Sequence, residues 1–313
     1  MKSFLRYALA ALALCFASSP AFALICGTGG GCFWVGGTGT WDNSTTTHWA
    51  STSGGVGSIA VPSATDAVTF DASSGGGTVT VAATINGSNT IISLTADAFT
   101  GTIDLSANNP SLTAATFSCS GAAVKTIVWG TGTITATGTS GTVFNFTTAT
   151  NLTWTNNPVF KMAATPTGSR TFALIKSITI ASLEIADTGS GAAGYIYPVI
   201  FYAAVPTITT FIPTTARWVF LQTGSDLVIT NGFTWNGTSS APILFGGNST
   251  TGSGTGWILN GAVVLTWAGV VMLNKAGSGS ITATNSFDLG GNNGTSVSIT
   301  APTTGGGSHC IGC

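Results

Sequence analysis

The sequence predicts an all-β protein: a single-stranded parallel β-helix, or β-solenoid, closed by an N-terminal aromatic and glycine-rich cap, with a β-sandwich as the alternative. Three observations predict it. Short apolar or alternating runs recur at intervals of about 8 to 13 residues, with Gly, Asn, Ser or Pro between them, which is the signature of strands and turns. Beyond residues 1–23 no stretch sustains the apolar period of roughly 3.6 residues that marks a helix. Finally, charged residues make up only 5% of a 313-residue chain that holds 43 glycines, against about 25% charged in ordinary globular proteins. Polar faces on such a chain are built from hydroxyls and amides.

In order, the chain divides into four parts. Residues 1–23 carry Lys2 and Arg6, an apolar run over residues 7–17 too short to span a bilayer, and a closing Ala21-Phe22-Ala23. That is the pattern of a Sec-type signal peptide cut after Ala23, and it predicts export to the exterior or the cell surface. Residues 24–65 read as the cap, 66–300 as the solenoid and 301–313 as a flexible tail. In the solenoid the beat is set by "AVTF" (67–70), "TVTVAA" (78–83), "IISL" (91–94) and "GTIDL" (101–105). "TIVW", "TITAT", "VFNF", "LTW" and "VFKM" continue it as far as Met162. Each joins β-branched or aromatic residues and is bounded by turn formers. The apolar stretch "YIYPVIFYAAVPTITTFIP" (195–213) is interrupted by Pro198 and Pro206, so it reads as irregular strand near a coil corner and not as a membrane span. A sandwich of this length would divide at a linker, and no shift of composition marks one.

A formal net charge of -1 and the lack of any basic patch give no field to attract nucleic acid or anionic lipid. The exported part holds Cys26, Cys32, Cys119, Cys310 and Cys313, an odd number. "CGTGGGC" is spaced to close a short disulfide loop and "HCIGC" a smaller one, so Cys26, Cys32, Cys310 and Cys313 are the candidate partners, with free thiols as the alternative. His309, Cys310 and Cys313 offer three metal ligands where a structural zinc wants four, so no metal is assigned. Cys119, in "ATFSCSGAA", reads as a small buried hydrophobe.

"FWVGGTGTWDNSTTTHWA" (33–50) invites three functional readings. As a phosphate loop it lacks the Lys-Ser/Thr of a Walker motif and any strand-to-helix setting. As a carbohydrate platform it would need Trp34, Trp41 and Trp49 exposed. The favoured reading is structural: an open solenoid end leaves core and strand edges uncovered, and a compact aromatic segment turned by Gly36, Gly37 and Gly39 closes it. His48 and Asp42 are then expected to make turn or backbone hydrogen bonds. Asp66 and Asp71 flank a strand and read as turn or cap residues.

This opening resembles that of a broad group of secreted bacterial and phage-encoded β-solenoid proteins, which begin W-x-G-G-x-G-x-W, then H-W, S-G-G and V-P-x-x-x-D-x-V-x-F-D. Trp34, Gly36, Gly37, Gly39, Trp41, His48, Trp49, Pro62, Asp66, Phe70 and Asp71 carry the match. "SGSITATNSFDLGGNNGTSVSIT" is similar to their closing coil, with Thr295 where an aromatic often stands, a change that weakens docking of the last strand. The resemblance implies a solenoid and an exterior location, and no defined reaction.

Function follows from what the chain can present. Glu184 and Asp187 form the one close acidic pair, with Lys161, Arg170 and Lys176 nearby, but in a strand 184 and 187 point to opposite faces. These charges read as solvated groups that keep the rod soluble, and no catalytic residue is assigned. T-x-T pieces at Thr78–Thr80, Thr133–Thr137, Thr207–Thr209 and Thr282–Thr284 resemble the ladders of ice-binding solenoids. Such a ladder needs one per coil in register, and these stand many coils apart, so β-propensity is the expected explanation. The sequence therefore predicts a non-enzymatic surface or virion-associated protein that adheres to a glycan or partner protein through an extended polar surface. Trp218, Trp235, Trp257 and Trp267 are its candidate stacking residues, weighed evenly against a role in the core. A tailspike-like polysaccharide depolymerase is the runner-up and an ice-binding protein a minor alternative. No cofactor and no nucleic acid is implied, and the oligomeric state is left open, a homotrimer included.

Overall fold

The structure, a computed structural model, describes residues 26, 29–147, 151–174, 178–187, 199–214, 218–221, 226–247, 256–271, 274–290, 292–294 and 296–302. The fold is a β-solenoid. Short strands alternate inward and outward residues, as in Lys125–Val128, Thr133–Ala136 and Val263–Thr266, and each pairs in parallel with its counterpart one coil away. Among the described strands the antiparallel pair is Gly31–Trp34 with Trp49–Ala50, inside the cap. Successive parallel registers such as Val79↔Ile103 and Ile103↔Ile127 build one wall rather than two facing antiparallel layers, which excludes the sandwich. The one helical element among the described residues is a short 3-10 turn, Ala72–Ser74.

Two long walls make up the stack, the front one starting at Gly31–Trp34 and the back one at Leu112–Ala114. The front wall includes Ala67–Thr69, Ser93–Thr95, Thr116–Ser118, Arg170–Leu174, Trp218–Leu221 and Ala268–Val271; the back wall includes Leu112–Ala114, Thr133–Ala136, Val159–Met162, Asp226–Ile229 and Trp257–Leu259. The third wall changes sides. In the N-terminal half a five-stranded side face lies between front and back, so that the chain runs Thr116–Ser118, Lys125–Val128, Thr133–Ala136 and returns to the front. In the C-terminal half the front strand leads to the back strand first, and a four-stranded side face forms on the way home: Trp218–Leu221, Asp226–Ile229, Phe233–Asn236. Between the halves the long strand Val199–Ile212 serves both walls, pairing with Arg170–Leu174 through its start and Thr179–Ile185 through its end. Its register against Asp226–Ile229 shifts between Ala204 and Thr207, around Pro206. A proline that cannot donate to a ladder is accommodated at such an irregularity.

The interior holds stacked clusters of rings joined by aliphatic side chains. Trp129 meets Trp154 with centroids 4.9 Å apart, Phe144 meets Phe160 at 4.8 Å, and Phe245 meets Trp257 at 4.6 Å, contacts worth about 0.5–1.5 kcal/mol each beyond burial. Corners are held by asparagines with positive φ: Asn109 (φ 49) accepts from Thr131 N at 2.8 Å, and Asn156 (φ 66) donates to the Trp129 carbonyl at 2.9 Å. Asparagine tolerates this backbone and bonds across coils, which is why it recurs between the apolar runs.

The cap closes the first coil. Trp34, Trp41, Trp49 and Phe70 are fully buried and pack edge to face or tilted, 5.1–6.2 Å apart. His48 stacks on Trp34 at 4.6 Å, and its Nδ1 donates to the Val35 carbonyl at 3.0 Å. Gly36 and Gly39 leave room for that imidazole: a Cβ on Gly39 would lie 2.4 Å from His48 Nε2. Asp42 accepts from Ser44 N and Thr45 N, and these bonds hold its carboxyl below the usual value although burial acts the other way. The boundary expected at residue 66 falls inside the stack, because Gly31–Trp34 already pairs in parallel with Ala67–Thr69 and Gly39–Trp41 with Thr78–Val81.

Candidate binding face

Strand alternation, coil register and scarcity of charge place a regular column of threonines on one side face of the molecule. On the first side face Thr78, Thr102, Thr126 and Thr153 stand at successive register positions and point outward. Two residues along each strand runs a second column, Thr40, Thr80, Asp104, Val128 and Thr155. Between the columns Val79, Ile103 and Ile127 turn inward and are buried. Backbone pairing fixes the rise between rungs at about 4.8 Å and the step between columns at about 6.6 Å. Asp104 is drawn back into the strand end, where its Oδ1 accepts from Ser106 N at 2.8 Å and Ser106 Oγ at 2.7 Å. The second side face repeats the motif with a less uniform column, Thr234, Val264, Thr282 and Ser298.

The T-x-T pieces at Thr78–Thr80, Thr133–Thr137, Thr207–Thr209 and Thr282–Thr284 do stand on different faces and form no ladder, as expected; the threonine column is built instead from rungs that the T-x-T pattern did not pick out. Thr78–Thr80 and Thr153–Thr155 belong to one face, and the rungs between them are Thr-x-Asp and Thr-x-Val. Thr133–Thr137 and Thr207–Thr209 lie on the back wall, and Thr282–Thr284 on the second side face.

The four candidate tryptophans do not form a platform. Trp257 is fully buried, its Nε1 donating to the Gly246 carbonyl at 3.0 Å, and Trp235 is buried beside Phe245. Both are core residues, and the stacking role is withdrawn for them. Trp218 is half-buried on the outer side of the front wall against Phe220. Trp267 is half-buried at a corner with φ 51, the conformation that Asn285 takes one coil later.

The charges also differ from expectation in part. Glu184 and Asp187 do point apart: Glu184 lies outside and pairs with Lys161 at 3.0 Å, while Asp187 is buried. Asp187 is not a solvated charge, because it meets the Arg170 guanidinium in the interior, with Arg170 1% exposed. Burial raises the Asp187 carboxyl above the ordinary value and lowers Arg170, and their mutual attraction offsets part of each shift. Two lysines were also missed as interior residues. Lys125 takes the inward position that Leu152 fills one coil on, and Lys275 the position of Trp257; their ammonium groups reach the Gly121 and Gly277 carbonyls at 2.8 and 2.9 Å. Their aliphatic stems fill core space while the heads bond at a corner.

Cys26 and Cys32 are bonded to each other. Asp66 adjoins that disulfide and is fully buried, accepting from Gly29 N, Gly30 N, Ser63 N and Ser63 Oγ at 2.7–2.8 Å, and so ties the loop to the first coil. The two sulfurs and Asp66 lie within metal-binding distance of one another, but the sulfurs are not thiolates and the carboxylate is filled with donors. Asp71 caps the Ala72–Ser74 turn through Ser73 N at 2.8 Å. Cys119 is a buried thiol pushed up to about 12 by burial. Lys176, residues 195–198, Thr295, His309, Cys310, Cys313 and residues 1–23 lie outside the described residues. Among those described, no helix is long and apolar enough to cross a membrane. Comparison with protein-family models, curated proteins and solved structures finds no match to this chain.

Proposed function

We propose that this is an exported, non-enzymatic β-solenoid that adheres to an extended, uncharged partner through its first side face. One observation carries the reading: a continuous outward column, Thr78, Thr102, Thr126 and Thr153, on a five-stranded sheet whose carboxylate is bonded back into its own strand end. Such a face presents many weak hydrogen-bond donors and acceptors in fixed positions, and affinity comes from their number. It suits a repeating ligand such as a surface polysaccharide or a partner protein's polar face. The depolymerase alternative loses its acidic pair, since Glu184 and Asp187 stand on different sides of the wall with separate cationic partners.

The test is to incubate the purified protein with a panel of insoluble and soluble bacterial polysaccharides, measuring binding and the release of reducing or unsaturated ends. Binding without chain shortening, lost in Thr126→Tyr, supports the proposal. Cleavage at a catalytic rate overturns the non-enzyme assignment.

A further inference from the structure

We propose that the ligand of the first side face is crystalline water, so that the protein docks on ice; this rests on the adhesive reading above and names its partner. The argument begins with periodicity. Rungs in a stacked parallel sheet rise by about 4.8 Å, close to the repeat of equivalent oxygens along one axis of hexagonal ice. Thr102 and Thr126 sit at the centre of that array, one rung apart by backbone register, with Thr78 and Thr153 extending the same column on either side.

The side-chain chemistry fits the same partner. Threonine is β-branched and holds few rotamers, so a column of it loses little freedom on docking. Each residue carries one hydroxyl, able to donate and accept as a lattice water does, and one methyl that sheds ordered solvent. The backing is rigid: Ile103 and Ile127, behind the array, are each 3% exposed.

Other ligands are matched less well. A saccharide site ordinarily adds exposed aromatic faces or ionised groups to fix ring orientation, whereas Trp41 and Trp129, in and beside these strands, are buried and the half-buried Trp154 packs inward on Trp129 and Phe146. An anionic ligand would need cations, and Lys125, the lysine in these strands, turns inward to a backbone carbonyl. An uncharged lattice with the sheet's own repeat answers both features.

The experiment grows a single ice front slowly through a dilute solution of the purified protein and measures the fraction taken into the ice, alongside crystal shape near the freezing point. The wild-type chain is expected to enter the ice and facet the crystals. Thr102→Tyr and Thr126→Tyr, bulky changes at outward positions, should be excluded, while Thr282→Tyr on the other side face should enter normally. Circular dichroism and melting curves verify folding, and Thr126→Val, which keeps the branch and removes the hydroxyl, serves if the tyrosine variants do not fold: it should lose most of the uptake. Exclusion of the wild-type chain, or equal uptake of a folded Thr126→Tyr variant, overturns the inference. If the wild type is excluded from ice yet binds a polysaccharide in a manner sensitive to Thr126→Tyr, ice falls and the adhesive face stands; if it binds neither, both fall.

Discussion

Removing Asp187 should be far more damaging than removing Arg170, although the two form one ion pair. Arg170 is 1% exposed and Asp187 6%. In Asp187→Ala the guanidinium stays charged, since it cannot lose its proton in the physiological range. It keeps its bond to the Gly138 carbonyl at 3.2 Å, while Nε is already without an acceptor. Stranding a buried charge in this way costs about 3–5 kcal/mol. In Arg170→Met the carboxyl has an escape, because its affinity for a proton is already raised by burial and loses the opposing influence of Arg170. A carboxyl whose folded value lies above the unfolded one, near 3.8, contributes stability that is complete below that pH and is lost as pH rises through the folded value. Arg170→Met should therefore be mildly destabilised in acid and progressively more so toward neutrality. The double variant Arg170→Met with Asp187→Leu, in which neither charge remains, should recover to within about 1–2 kcal/mol of wild type. Urea unfolding of all four proteins at several pH values measures this. A cost below about 1 kcal/mol for Asp187→Ala, or a double variant no better than it, would refute the buried pairing.

Other consequences are as direct. Trp257→Ala should cost about 3–5 kcal/mol by opening a cavity under Phe245, whereas Trp267→Asn, at a corner where φ is 51, should stay within about 1 kcal/mol of wild type because asparagine accepts that backbone; thermal melts compare them. Gly121→Ala should destabilise by about 1–3 kcal/mol, since its Cβ would lie 1.9 Å from the Asp97 carbonyl oxygen, and chemical denaturation reads the loss. Cys119, buried with its thiol pushed up to about 12, should resist iodoacetamide at pH 8 in the native protein and react once urea unfolds it, as peptide mapping will report.

What the sequence made legible was local. Recurrent runs such as "TVTVAA" and "TIVW" identified strands, and the tryptophan and glycine spacing at Trp34, Gly39 and Trp49 identified the cap, because alternation and turn chemistry act over a few residues. Position across coils was not legible. The rungs that complete the threonine face read Thr102-Ile103-Asp104 and Thr126-Ile127-Val128, which carry no T-x-T signal, and coils of unequal length hide their register. The transfer of the third wall from one side to the other was hidden likewise, since it depends on which connection grows longer. Trp235 and Trp257 misled because a solenoid core and a stacking platform draw on the same aromatic residues, and inward or outward direction depends on a one-residue difference in phase. Arg170 and Asp187 misled because a charged residue gives no sign in sequence that its partner waits inside.

The most direct test of the in-register face is site-directed cross-linking. In a background with Cys119, Cys310 and Cys313 replaced by alanine, Thr102→Cys with Thr126→Cys should form a bond under mild oxidation, because one rung of about 4.8 Å lies within disulfide reach. Thr102→Cys with Thr153→Cys, two rungs of about 9.6 Å apart, should not. A linked second pair, or a first pair that stays open, would contradict the stacking on which the face depends.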